Sequence, residues 1–119
     1  MNIKGLGSWQ QTRNVIFETL AMTIDRQNAA PESHDANSDY QRLQRLIDKL
    51  LEDAKTHAIN GFRIVDDNIG ATTVVKNLGA QSKAAKKEAD RIKESTKKIA
   101  ELTKLVGDLS KLVIGFGRL

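Results

Sequence analysis

From Leu43 onward an apolar side chain recurs every seven residues: Leu43, Leu50, Ile64, Ala71, Leu78, Ala85, Ile92, Ile99, Val106 and Val113, with His57 the one polar member of the row. A companion row precedes it by three residues in the first half, at Tyr40, Ile47, Ala54 and Gly61. In the second half the companion follows by three, at Val74, Leu102, Leu109 and Phe116, with polar Gln81, Glu88 and Ser95 between. Alternating gaps of three and four residues keep both rows on one side of a helix, which is what packed helices need. Upstream, Trp9, Ile16, Leu20 and Ile24 fall roughly on one side of an earlier helix.

Turn and cap signals divide this pattern. Ser8-Trp-Gln-Gln11 and Ser38-Asp-Tyr-Gln41 both fit the S-x-x-Q capping box that satisfies orphan amides at a helix start. Between them lies the single proline, Pro31, in a run of small and polar residues. The reading is a flexible leader over 1–7 and one helical domain over 8–119. Within it, helices are expected at about 8–28, 38–67 and 74–114, with a loop at 29–37. The break near Asp66 to Thr73 rests on clustered Asp, Asn and Gly, with Asn68 or Gly70 expected in a left-handed conformation. Gly79 is a second weak point. The expected fold is all-α: an antiparallel bundle of three long helices, or four if a short extra turn forms around 71–78. The alternative is a long helical hairpin or coiled-coil rod, because one unbroken helix over 38–114 would run about 115 Å.

Composition narrows the core. The chain has 119 residues, enough for one domain, but only one Trp, one Tyr and three Phe, so Leu, Ile, Val and Ala must fill the interior. The absence of cysteine excludes a disulfide framework, a zinc ribbon and thiol catalysis. No apolar run approaches the roughly 18 residues a membrane span needs, and a cytoplasmic location is expected. A mid-chain Trp-x-Gly turn, which would mark small secreted helical hairpins, is absent: Trp9 is followed by Gln10 and Gln11.

Catalytic chemistry finds no foothold. Asp53 and His57 stand one turn apart and could offer two metal ligands, yet di-metal bundles need Glu-x-x-His pairs on separate helices, and that spacing does not occur. His57 reads instead as a histidine partly buried at a helix contact. The adjacent pairs Glu52-Asp53 and Asp66-Asp67 point in different directions on a helix and form no acid–base couple. Gly5-Leu-Gly7 and Gly115-Phe-Gly117 are too short to cradle phosphate. The expectation is a protein that is not an enzyme, with no catalytic residue, metal or cofactor.

The net charge of +4 is concentrated: residues 76–98 hold eight basic and three acidic side chains, a balance of +5. Lys83, Lys86, Lys87, Arg91, Lys93, Lys97 and Lys98 form the candidate basic surface. It reads first as the solvated side of a packed helix. Nonspecific nucleic-acid binding through the Lys-rich helix 83–98 is a second alternative, disfavoured because no aromatic lies within 63–115 to stack bases and lysine outnumbers arginine seven to one over 76–98. Residues 105–119, with eight large apolar side chains in fifteen, offer a membrane-surface alternative. The leading expectation is a structural or interaction module that self-associates, or meets a helical partner, through the apolar seam of Leu78, Ala85, Ile92, Ile99, Leu102, Val106, Leu109, Val113 and Phe116. Small side chains between Gln81 and Thr96 make that seam narrow there, implying either close Ala-mediated packing or a segment that needs a partner.

Overall fold

Four stretches of the chain are helical in the computed structural model, which describes residues 4–67, 69–70, 72–94 and 99–119. They are α1 (Lys4–Ala29), α2 (Asp39–Asp66), α3 (Thr73–Glu94) and α4 (Ile99–Gly117). They enclose one core in a body of 48 × 25 × 18 Å. A rod over 38–114 is therefore not the fold.

Local chemistry accounts for the ends. Ser38 caps α2 in extended backbone conformation, its hydroxyl accepting from the Gln41 amide at 3.2 Å. The Gln41 side chain does not close the box; it donates to the Ser33 carbonyl at 2.7 Å and ties down the loop. Thr72 starts α3 in the same way, accepting from the Val75 amide at 3.1 Å. Gly70 does not take the left-handed conformation expected of it, and Asn68 and Ala71 lie outside the described residues. The C-terminal end of α2 is closed by the Asp67 amide on the Arg63 carbonyl and the Ile69 amide on the Ile64 carbonyl.

Three boundaries differ from the sequence reading. α1 begins at Lys4, so residues 4–7 of the expected leader are helical, while 1–3 lie outside the described residues. Ser8 is not a cap: its side chain faces α3, where a Cβ on Gly79 would come within 2.9 Å of the Ser8 hydroxyl oxygen. The glycine read as a weak point is a close approach instead. The expected helix over 74–114 is two antiparallel helices, because Arg91 pairs with Glu101 and Leu78 packs on Gly115. Ser95 to Lys98 lie outside the described residues; in sequence they carry neither Gly, Pro, Asn nor Asp to announce a turn.

Cross-helix contacts fix the topology. α1 and α2 run antiparallel, joined by Trp9 to His57 at one end and Gln27 to Tyr40 at the other. α1 and α3 run parallel, as Glu18 with Lys86 and Arg26 with Ile92 require. α2 and α4 are also parallel, through Asp53 with Ser110 and Arg63 with Phe116. Among the described residues α2 and α3 do not pack together, so they occupy opposite corners of the bundle. The connection between them crosses one end, where Ile69 packs against the core.

α1 touches all three other helices, yet its buried side carries Thr12, Thr19 and Thr23 beside Val15, Ile16, Leu20 and Met22. Each threonine hydroxyl donates to the carbonyl four residues earlier, at 3.1, 2.7 and 2.7 Å, so no buried hydroxyl is left unpaired on this face. Ile24, expected on the buried side, is exposed. In α3 the companion row is Val75, Ser82 and Ala89, not Val74, Gln81 and Glu88. The first-half spacing of three residues before the main row therefore continues through α3. Ser82, Ala85 and Ala89 are all buried, the close small-residue packing foreseen as one option.

Candidate functional site

The seam residues lie in the chain's own core. Leu78, Ala85, Ile92, Leu102, Val106, Leu109, Val113 and Phe116 are buried and Ile99 is half-buried. A second chain could reach them only if the helices parted. Residues 105–119 are committed likewise: Leu105, Leu109, Leu112 and Phe116 point inward, leaving Ile114 as the exposed large apolar side chain of α4.

The basic surface is partly neutralised. Lys86 bridges Glu18 at 2.7 Å and Asp90 at 2.9 Å; these hydrogen bonds raise its pKa and lower that of Asp90. Arg91 pairs with Glu88 and, at 3.3 Å, with Glu101; its hydrogen bond holds the Glu88 carboxyl below its usual range. Lys83, Lys87 and Lys93 are exposed, and Lys97 and Lys98 lie outside the described residues. By helical spacing Lys83 and Lys87 share their outward line with Asp90 and Glu94, so the face is mixed in sign. A cleft of about 390 Å³ between α3 and α4 is equally mixed, with Lys104 and Lys111 facing Glu88 and Asp108.

The unusual chemistry is on α2. Its inward side from Asp53 on carries Asp53, His57 and Asn60, buried beside Gly61 and Ile64, and the other helices arrange matching groups around the polar three. Ser110 of α4 donates to the Asp53 carboxylate, whose other oxygen lies 3.4 Å from Lys49. The Asn60 amide donates to the Val113 carbonyl at 3.1 Å. Arg63 donates to the Phe116 carbonyl at 2.6 Å and so caps the negative end of α4, as Arg26 caps α3 at the Ile92 carbonyl, 3.1 Å away.

His57 is 1% exposed and stacked on Trp9, with ring centres 5.0 Å apart, while Phe116 meets it edge-on at 5.2 Å. The indole N–H donates to the His57 carbonyl at 2.6 Å. The Trp9 carbonyl can only accept, so His57 Nε2 carries the proton and donates at 2.9 Å. Nδ1 is buried, and among the described residues it has no hydrogen-bond partner. Burial lowers the His57 pKa from 6.5; the hydrogen bond to Trp9 and the charge of Asp53 pull it up, and Arg13 pushes it down. Gly61 lets the indole lie on α2: a Cβ there would fall 2.4 Å from the Trp9 ring. Asp53, His57 and Asn60 are buried while Trp9 is half-buried, and among the described residues no three His, Asp or Glu side chains gather into a metal site. It locks α1, α2 and α4 together.

On the outward side of the same helical segment stand Leu51, Ile59, Phe62 and Val65, all exposed, Ile59 at 61% and Phe62 at 75%. Helical spacing places Leu51, Phe62 and Val65 toward α1, where Phe17 is exposed with Arg13 over its ring at 4.8 Å. Ile59 leans the other way, toward the exposed Ile114 of α4. This is the largest gathering of exposed apolar side chains among the described residues. The seven-residue row does not include these positions, because that row faces inward. The signal was in the sequence nevertheless, as the steps of seven, four and three residues from Leu51 through Ala58 and Phe62 to Val65.

Comparison with known proteins brings no match, whether to a protein-family model, to a curated protein or to a solved structure. No helix of the described residues is long and apolar enough to cross a membrane.

Proposed function

We propose that this chain is a non-enzymatic helical interaction module that meets a protein partner through the outward face of the second half of α2. The observation that carries the reading is the unusual polarity of that segment: Asp53, His57 and Asn60 are inside beside Ile64, while Leu51, Ile59, Phe62 and Val65 stand outside among Glu52, Lys55 and Asp66. Burying a polar side chain needs a dedicated partner for each group, and this bundle supplies one for Asp53 and for Asn60. Leaving several large apolar side chains together in water is unfavourable by about 25 cal/mol per Å², which contact with a partner relieves. The polar, charge-paired face of α3 has no such driving force.

A photo-crosslinking amino acid at position 62, compared in cells with one at the exposed Lys87 of α3, tests this. Protein adducts from position 62 and none from position 87 are expected. Equal yields from the two positions, or none from either, would overturn the reading.

A further inference from the structure

The face proposed above has an internal symmetry that names its occupant, and the inference rests on that reading. Lys55, Ile59, Phe62 and Asp66 stand at i, i+4, i+7 and i+11, a spacing that puts all four on one line along α2. All four are exposed, and among the described residues Lys55 and Asp66 make no ion pair within the chain. Both pairs share a midpoint, between residues 60 and 61. Laid antiparallel on a copy of itself about that midpoint, the row sets Lys55 against Asp66 and Ile59 against Phe62, twice over. A two-fold contact demands this kind of self-complementarity, since each residue must suit the one opposite it in both halves.

A second feature points the same way. Asp66 and Asp67 stand at the C-terminal end of α2, where the helix dipole is already negative. A lysine from a second copy arriving at Asp66 would compensate both the carboxylates and the dipole.

Charge symmetry alone would not suffice. Lys83, Lys87, Asp90 and Glu94 on α3 have the same spacing and the same reversal of sign, but their centre is charged, and exposed ion pairs contribute at most about 1 kcal/mol. Only the α2 row has an apolar centre.

We infer that the chain forms an antiparallel two-fold homodimer through α2, with Phe62 and Ile59 at the middle and reciprocal Lys55–Asp66 pairs at the rims. The helix-to-helix contact is short, at the lower end of stable interfaces, so the dimer should exchange and its mass should depend on concentration.

The test is light scattering of the purified full chain over roughly a thousandfold range of concentration. Each variant's melting curve is read alongside. The wild type should pass from monomer to dimer. Lys55→Glu alone and Asp66→Lys alone should each weaken association about tenfold by turning two attractions into repulsions. The combined Lys55→Glu/Asp66→Lys chain should return to within about threefold of wild type. Lys87→Glu on α3 should change nothing. A wild type that stays monomeric throughout, single reversals that associate as well as wild type, or a double variant no better than the singles would each overturn the dimer. A monomeric chain that still crosslinks to another protein from position 62 would refute the dimer while supporting the interaction face.

Discussion

The two halves of α2 divide apolar from polar side chains to different degrees. Up to Leu50 it is an ordinary amphipathic helix, with Leu43, Ile47 and Leu50 buried and Arg42, Arg45 and Asp48 in water. Beyond Leu50 the division blurs, with Asp53, His57 and Asn60 inside beside Ile64, and Leu51, Ile59, Phe62 and Val65 outside among charged neighbours. The first half is explained by folding alone. The second leaves large apolar side chains in water, a cost that the proposed contact beyond the chain would relieve.

The sharpest way to break this comparison is to truncate one large side chain in each half. Leu50→Ala should cost about 2–5 kcal/mol, since Leu50 is fully buried, whereas Phe62→Ala should stay within about 0.5 kcal/mol. Urea unfolding at low protein concentration measures both; comparable losses would mean that Phe62 supports the fold. Next in size is Gly61→Ala, whose methyl enters the Trp9 ring and should cost about 1–3 kcal/mol while altering the fluorescence of the only tryptophan. An unchanged melt and spectrum would show that the indole does not lie tightly on α2.

Ser110→Ala probes the buried polar side. It removes the hydroxyl that Asp53 accepts from and leaves Lys49, 3.4 Å away, as the ion-pair partner. A loss of about 1–3 kcal/mol is expected, and a neutral result would mean that water replaces the hydroxyl without penalty.

The smallest effect concerns pH. Burial lowers the His57 pKa in the folded chain, so the unfolded chain binds its proton first, near 6.5, as pH falls. Stability from this group is therefore fully present above about pH 7 and declines as pH falls through 6.5 toward the lower folded value. Chemical unfolding at a series of pH values should show that slope, and His57→Gln should remove it.

Much of the fold was legible in sequence. Pro31 and Ser38 marked the loop and the start of α2, and the described members of the seven-residue row are buried, Ile99 half-buried. Two features misled. The row runs unbroken from Ile92 to Ile99 although the chain reverses between α3 and α4, because both helices present that row to the same core. Ser8 carried a cap's signature but serves the approach of α1 to α3. The outward face of α2 was harder to see, because periodicity says that a row shares a side and not which side is inside. Only the partners of Asp53, His57 and Asn60 on the neighbouring helices decide that orientation.

Because the chain has no cysteine, a single one reports its surroundings without interference. Phe62→Cys and Lys87→Cys, each labelled with a maleimide in intact cells and again after purification and dilution, test the central claim most directly. Position 62 should be protected in cells and react as fast as position 87 once diluted, as expected of a face covered by a partner. Equal reactivity of the two positions in cells would contradict the account.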